Sequence, residues 1–115
     1  AACSGVYACA GSACVHAHYK CYAYVRPERL ASGWTRDRIV EAIVAEGVPC
    51  YQGSCSEVYL EKAFDGTGWR PTVRLPVAKA LGETSIMFLV HPTLTPDEIA
   101  RTGRAIRKVT AQACH

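Results

Sequence analysis

The chain has 115 residues, of which 50% are hydrophobic and 20% are charged, and its formal net charge is +3. This length and composition predict a single globular domain with a modest core. The arginines alternate with acidic residues and form no basic block, which argues against a nucleic-acid partner. No apolar run approaches the roughly 18 residues that a membrane-spanning helix needs. Residues 1–13 lack the charged and apolar pattern of a signal peptide.

The chain is rich in cysteine for its length. Seven are present, an odd number, and no export signal accompanies them. We therefore expect reduced thiols in a cytoplasmic protein rather than a framework of disulfides. The seven are Cys3, Cys9, Cys14, Cys21, Cys50, Cys55 and Cys114.

The N-terminal part divides into a tail and a strand. Residues 1–13 are mostly small and show neither a helical nor a strand period, so we predict a linker or a disordered tail, with residues 14–115 as one α+β domain. From Val15 to Val25, side chains alternate between small or apolar and polar or aromatic. This alternation predicts a strand with one apolar face and one half-polar, aromatic face, which Pro27 ends.

A helix is predicted next. Thr35 is expected to cap it, and it should run to about Glu46 with Ile39 and Ile43 buried. Arg36 is expected to stay in solvent. Gly47 stands where a helix-ending glycine belongs.

The middle of the chain has weaker patterns. A short strand is predicted from Val48 to Gln52, and Ser54 or Ser56 can then begin a helix of about two turns. Residues 65–74 contain two glycines and one proline, which predict a loop.

The C-terminal part has the clearest pattern. A helix from Pro76 to Gly82 leads into an apolar strand from Ser85 to Val90. A final helix should begin after Thr95, because Thr95 and Glu98 form the spacing of a capping box. The acidic residues of this helix come first and the basic ones later, which complements its dipole.

The predicted order is strand, helix, strand, helix, helix, strand, helix. No helix opens with a dinucleotide or phosphate fingerprint, and no repeat is present. The simplest packing is an α+β two-layer sandwich, with a small mixed or mainly antiparallel sheet and helices mostly on one face.

The N-terminal cysteines and histidines are candidate metal ligands. Cys3, Cys9, Cys14, His16 and His18 lie close in sequence, but the cysteines are separated by five and four residues. Structural zinc sites usually hold two pairs of ligands at shorter intervals, so this spacing favours unpaired thiols and strand histidines. A small free-standing metal- or thiol-binding module that uses this cluster stays as the alternative, and a pure interaction domain is a third interpretation.

Two further places could bind a ligand. The turn after Gln52 combines Gly53 with Ser54 and Ser56, which could hold an anionic or hydroxyl-rich ligand or could simply cap a helix. His91 ends a strand before a proline, where functional and plain turn residues both occur. The interval between Cys50 and Cys55 is four residues, longer than that of a redox pair.

The lysines show no sign of cofactor chemistry. Only Lys20, on the aromatic strand, has a setting that could lower a lysine pKa for Schiff-base formation, and we expect a solvated side chain for all four. The four are Lys20, Lys62, Lys79 and Lys108.

Five segments form a joint pattern over about residues 14–110: CVHAHYKCYAYV, TRDRIVEAIVAEGVPC, GSCSEVYLEKAF, LPVAKALGETSIMFLVHPTLTPDEI and IRKV. In this order and at these separations they resemble the C-terminal small domain of the DegT/DnrJ/StrS sugar aminotransferases. Arg36 and Asp37 match the start of the first helix of that pattern, Gly47 matches its end, and Pro92 to Thr95 match the stretch before the last helix.

The resemblance implies a function for a longer protein. These enzymes use pyridoxal phosphate to aminate keto-sugars attached to nucleotides, and the small domain closes over and shapes the sugar pocket. The catalytic lysine and most cofactor contacts belong to an N-terminal large domain, which is missing here. The chain would then be a fragment that binds no cofactor alone, and its parent a homodimer in polysaccharide biosynthesis.

The resemblance also implies site residues. Members of the family often carry histidine at the turn where this sequence has Tyr51 to Cys55, so the turn indicates a distinct substrate subclass. We expect Tyr51, Ser54, Ser56 and His91 to lie on the pocket side and contact the nucleotide-linked sugar. The resemblance places no catalytic and no metal-binding residue in this chain.

Overall fold

The structure, a computed structural model, describes residues 19–115. The predicted tail, the beginning of the first predicted strand and the N-terminal cluster of cysteines and histidines lie outside these residues. The domain boundary at residue 14 therefore stays a prediction.

A three-stranded antiparallel sheet forms the centre of the described part. Its strands are β1 (Lys20–Tyr24), β2 (Cys50–Gln52) and β3 (Ser85–Leu89), in the spatial order β1–β3–β2. β3 takes the central position because it is the most apolar of the three strands and is mostly buried. The small, mainly antiparallel sheet that the sequence predicts is confirmed.

The register of the strands separates two faces. Cys21 and Cys50 both lie opposite Phe88, and Ala23 lies opposite Ile86. Because side chains alternate along a strand, these residues share one face. That face forms the core with residues from two helices: Ile39, Ile43, Val48, Cys50, Ile86, Phe88, Ala105, Val109 and Ala113 are buried together.

The two helices of the core are α1 (Arg36–Ala45) and α3 (Pro96–Ala113). α1 buries Ile39 and Ile43, as the spacing predicts, and α3 buries small and β-branched residues in its C-terminal half. Both helices lie against the same face of the sheet. The predicted α+β two-layer sandwich is therefore confirmed.

Both core helices begin at the predicted caps. The Thr35 Oγ1 accepts the N–H of Arg38 at 3.2 Å. The Thr95 Oγ1 accepts the N–H of Glu98 at 3.3 Å, and the Glu98 Oε2 accepts the N–H of Thr95 at 2.8 Å, which completes the capping box. After α1, Gly47 adopts a φ of 76°, a conformation that side-chain-bearing residues rarely take.

The prediction of a helix that begins at Ser54 or Ser56 is wrong. The chain instead makes two single 3-10 turns, Val58–Leu60 and Lys62–Phe64. Just before them, Glu57 has φ −115° and ψ 53°, outside the helical region. Its buried carboxylate pairs with an arginine of the following loop, and this tertiary contact overrides the local helix preference.

The remaining helix, α2, spans Pro76–Thr84 and extends beyond the end predicted at Gly82. Gly82 lies inside the helix, where the Ser56 side chain occupies the space that a Cβ would need. β3 follows α2 directly. The strands are slightly shorter than predicted, since β2 begins at Cys50 and β3 ends at Leu89.

None of the helices in residues 19–115 combines the length and the apolarity that crossing a bilayer requires.

Candidate functional site

The turn singled out by the sequence lies at the end of the sheet where β3 begins. Gln52 is opposite Ile86, and the N–H of Gly53 donates to the carbonyl of Ser85 at 3.2 Å. A Cβ on Gly53 would overlap the Ser85 side chain. The close approach that glycine permits is therefore made by β3 itself, and Gly53 packs the turn onto the sheet.

Of the predicted substrate residues, Ser54 contacts Tyr22, and Tyr51 shares a face of the sheet with Tyr22. The Tyr22 hydroxyl is hydrogen-bonded to the Ser54 hydroxyl. Tyr22 and Tyr51 both lie opposite Met87, one on each side of it. Residues paired in register point to the same face of an antiparallel sheet, so the two tyrosines share the face that points away from the core.

We call the face of the sheet that points away from the core the open face. It consists of the strand residues Lys20, Tyr22, Tyr24, Tyr51, Ser85, Met87 and Leu89. Tyr51 is 48% exposed and Tyr24 is 42% exposed. The open face therefore presents aromatic rings and hydroxyls to the outside, and hydroxyls can both donate to and accept from a polar ligand.

Ser56, the third predicted residue, is half-buried and packs against Gly82 of α2. Its side chain fills the groove that the missing Cβ of Gly82 leaves. This contact gives Ser56 a packing role between the turn and α2.

His91, the fourth predicted residue, lies at the opposite end of the sheet. It follows the C-terminal end of β3, whereas Ser54 lies beside the N-terminal end, and the strand between them is about 13 Å long. The His91 Nδ1 accepts the N–H of Thr93 at 3.3 Å and lies 2.7 Å from the Thr93 hydroxyl. Tyr51 and the hydrogen bond between Tyr22 and Ser54 thus lie on one face of the sheet, whereas His91 lies beyond the far end of β3.

An ion pair next to the turn, between a buried carboxylate and a half-exposed arginine, was missed by the sequence reasoning. Glu57 is 9% exposed, and its carboxylate accepts two hydrogen bonds from Arg74, at 2.7 and 2.6 Å. The Tyr59 hydroxyl donates to the same carboxylate at 2.6 Å and accepts the N–H of Leu75 at 3.0 Å. The group ties the loop after β2 to the start of α2.

These hydrogen bonds determine the protonation states of Glu57 and Tyr59. The hydrogen bond from Arg74, followed by that from Tyr59, lowers the pKa of Glu57 from 4.5 to about 2. Burial, followed by the hydrogen bond to Glu57, raises the pKa of Tyr59. At neutral pH the carboxylate is charged and the phenol is protonated, so the group acts as a structural tie rather than as a general acid or base.

Arg36 is another residue that the sequence misjudged. It was expected in solvent, but its side chain is only 13% exposed. Its Nη1 donates to the carbonyls of Gly82 and Ser85 at 3.0 and 2.9 Å, while its Nε donates to Asp37 at 2.6 Å. A cation at the last carbonyls of α2 complements the helix dipole and fixes the junction of α2 and β3 beside the turn.

The thiols near the turn do not form a redox pair. Burial raises the pKa of the Cys50 thiol from 9.0 to about 11, more than a hydrogen bond from the Tyr51 backbone lowers it. Cys55 is exposed, and its thiol lies 3.5 Å from the Glu61 carboxylate. A reactive cysteine needs a lowered pKa, so Cys50 is a core residue.

The lysines do not fit a pyridoxal phosphate site. None of the four is buried, and two form ion pairs: Lys108 with Glu46 at 2.7 Å and Lys79 with Glu83 at 3.8 Å. A Schiff-base lysine needs a desolvated setting that lowers its pKa. No step through this cofactor is therefore assigned to residues 19–115.

The described residues also contain no metal cluster. Within residues 19–115, no group of three or more histidine, cysteine, aspartate or glutamate side chains could hold a metal ion. The residues of the metal- or thiol-binding alternative, Cys3, Cys9, Cys14, His16 and His18, lie outside this part of the chain.

Fold and sequence are both similar to part of a solved enzyme. The X-ray structure of the aminotransferase from Psychrobacter cryohalolentis matches with a TM-score of 0.80 and 64% sequence identity, over 84% of this chain. The chain is an aminotransferase-related domain. It spans only 25%, about a quarter, of the aminotransferase chain that it matches. No family model and no curated protein matches the sequence.

Proposed function

We propose that this aminotransferase-related domain is the C-terminal small domain of a pyridoxal-phosphate-dependent nucleotide-sugar aminotransferase of the DegT/DnrJ/StrS family. The observation that carries the proposal is the 64% identity to an aminotransferase over 84% of the chain. The joint pattern of five sequence segments supports the sugar-aminotransferase family in particular.

The proposal divides the chemistry between two domains. Pyridoxal phosphate, when bound, supplies the electron sink for moving the amino group. The four solvent-accessible or ion-paired lysines give this chain no group to hold the cofactor. We therefore propose that an N-terminal large domain holds it, and that the 115-residue chain alone is inactive.

The role of this domain would be to close and shape the sugar pocket. Ser54 is hydrogen-bonded to Tyr22, and Tyr51 lies on the same open face, where these hydroxyls can bind the hydroxyl and phosphate groups of a nucleotide-linked sugar. Ser56 would support this wall through its packing against Gly82. His91 would be a separate contact at the other end of the sheet.

The parent enzyme is proposed to be a cytoplasmic homodimer that serves polysaccharide biosynthesis. The resemblance to the family supports this part of the proposal.

The pocket residues can be tested in a chimera in which this chain replaces the matched quarter of the Psychrobacter aminotransferase. In the chimera, Tyr51→Phe and Ser54→Ala should each raise the KM for a nucleotide-linked keto-sugar by about 3- to 10-fold, the loss of one hydrogen bond. The value of kcat should change little, because such contacts bind substrate and transition state alike.

Ser32→Ala is the matched control, since Ser32 is an exposed hydroxyl next to the end of α3. A panel of nucleotide-linked keto-sugars and free keto acids, with glutamate as amino donor, checks the substrate class. Unchanged KM in both pocket variants would remove Tyr51 and Ser54 from the site. A chimera that aminates only the free keto acids would refute the sugar substrate.

A further inference from the structure

The first turn of α1 holds the end of β2 through a side-chain hydrogen bond. Gln52 lies opposite the buried Ile86, so its side chain points to the core side of the sheet, where α1 packs. There the Gln52 Nε2 donates to the Asp37 Oδ1 at 3.1 Å. The preceding residue, Tyr51, points to the open face. The contact with α1 therefore holds, from the core side, a strand end that presents Tyr51 on the other side.

Asp37 is itself held in place by its neighbour in α1. The Arg36 Nε donates to the same Oδ1 of Asp37 at 2.6 Å, and the Arg36 Nη1 donates to the carbonyls of Gly82 and Ser85. A guanidinium is planar and its donors point in fixed directions. The two carbonyls therefore orient the Arg36 Nε toward Asp37, and the acceptor for the strand end has a fixed position.

The next residue of the turn is tied to the same junction of α2 and β3. The Ser85 carbonyl accepts the Gly53 N–H at 3.2 Å and the Arg36 Nη1 at 2.9 Å. A carbonyl oxygen has two lone pairs and can accept both. The turn is thus held at two successive positions, by a side chain of α1 and by a carbonyl that Arg36 also binds.

We infer that Asp37 and Gln52 are positioning residues of the proposed sugar pocket, with Arg36 as their anchor. This inference rests on the proposed function. The two residues act through Tyr51 and Ser54, the proposed substrate contacts that flank the two held positions of the turn. Their hydrogen bond fixes where those two hydroxyls lie.

A positioning role predicts a selective kinetic effect. The hydroxyls of Tyr51 and Ser54 are proposed to bind sugar hydroxyls and phosphates, groups that the amino donor glutamate lacks. A displaced turn therefore raises the KM for the nucleotide-linked sugar and leaves the KM for glutamate unchanged. A general loss of stability has no such preference, because it lowers the amount of active enzyme for both substrates.

The test removes the hydrogen bond and then restores it with donor and acceptor exchanged. Gln52→Met keeps the length of the side chain and removes the donor. In the double variant, Asp37→Asn with Gln52→Glu, the asparagine amide group donates to the new carboxylate while the asparagine oxygen accepts from Arg36. Gln112→Met is the matched control, since it makes the first change at an exposed position of α3.

The hold on the turn is measured without substrate, as the amide hydrogen exchange of Gly53 in the 115-residue chain. We expect Gln52→Met to raise this exchange rate by about 3- to 10-fold, the loss of one hydrogen bond, and to leave the rate of Val109 in the buried part of α3 unchanged. The double variant and the control should stay within about twofold of the wild type.

Three results of the exchange measurement would overturn the inference. The first is a Gly53 amide that is unprotected in the wild type. The second is an equal rise at Gly53 and Val109 in Gln52→Met, which would indicate global unfolding. The third is a double variant that exchanges as fast as Gln52→Met.

The kinetic effect is measured in the chimera. Gln52→Met should raise the KM for the nucleotide-linked sugar by about 3- to 10-fold and leave kcat and the KM for glutamate within about twofold. Added to Tyr51→Phe with Ser54→Ala, it should raise the KM for the sugar by less than about twofold more, because effects exerted through the same contacts are not additive. Equal increases in both KM values would assign these residues a structural role only.

The two measurements separate the positioning role from the proposed function. A chimera that aminates no nucleotide-linked sugar, together with a selective rise at Gly53 that the double variant reverses, refutes the substrate and supports the hold on the turn. A chimera that aminates such sugars with a KM that Gln52→Met does not change overturns the positioning role alone.

Discussion

Glu57 shows how a single buried charge can determine local structure. Its carboxylate is held by two hydrogen bonds from Arg74 and one from Tyr59. A buried carboxylate without such partners would be costly, so the loop after β2 folds to supply them. The loop therefore does not form the helix that its local sequence favours.

The pH dependence of stability should report this carboxylate. A group whose pKa is lowered by folding stabilises the protein above its unfolded pKa, near 4.5 for Glu57, and loses that contribution as the pH falls through about 2. The melting temperature of Glu57→Gln should therefore lie below that of the wild type at neutral pH. The difference should shrink between pH 4.5 and 2 in thermal melts.

The control for this prediction is Glu41→Gln, which alters an exposed carboxylate of α1. The melting temperature of Glu41→Gln should change with pH in the same way as that of the wild type over the same pH range. A gap between wild type and Glu57→Gln that stays constant down to pH 2 would show that the Arg74 pair does not stabilise the charged form.

α3 is the element whose structure follows most directly from its own sequence. Its capping box joins residues only three positions apart, Thr95 and Glu98, so the contact is visible in the sequence. The same is true of the Thr35 cap of α1. Sequence patterns of similarly short range also predicted which residues of α1 are buried.

The cap of α3 gives a prediction for stability. Thr95→Ala removes the acceptor of the Glu98 N–H and should reduce the free energy of unfolding by about 1 kcal/mol. For a domain of this size, that loss lowers the melting temperature by about 4–8 °C. Urea unfolding measures the free energy directly, and Thr95→Ser should restore it. Equal stability of the alanine and serine variants would contradict a stabilising cap.

The elements that the sequence failed to predict depend on distant partners. Arg74 is 17 residues from Glu57, and Arg36 is 46 and 49 residues from the carbonyls of Gly82 and Ser85 that it binds. No local period or cap records such pairs. The 3-10 turns after β2 and the burial of Arg36 could therefore be recognised only once the chain is folded.

In the domain as a whole, helices cover one face of the sheet and leave much of the other face accessible. The helices cover the core side of the sheet completely enough to bury Ile86 and Phe88, while Tyr24, Tyr51 and Leu89 on the other side stay accessible. The alternation of β1 predicted these two faces. It could not predict that the strands order as β1–β3–β2, which places Tyr22 and Tyr51 on either side of Met87.

The candidate site could be predicted from the sequence only in part. The sequence singled out Tyr51 and Ser54, but Tyr22, their neighbour, lies 32 residues before Ser54 and carries no motif of its own. His91 was grouped with them because it also follows a strand, and only the strand direction shows that it lies at the other end of the sheet.

We propose that this chain supplies the small domain of an aminotransferase and needs the rest of that enzyme for activity. Amino transfer to the substrate of the intact Psychrobacter aminotransferase should be measured for the 115-residue chain, for that aminotransferase without its matched quarter, and for the chimera. We expect no turnover from the first two and a kcat/KM for the chimera within about tenfold of the intact Psychrobacter enzyme, or about 1.4 kcal/mol of transition-state binding. A folded chimera that binds pyridoxal phosphate but transfers no amino group, or a 115-residue chain that transfers one alone, would contradict the account.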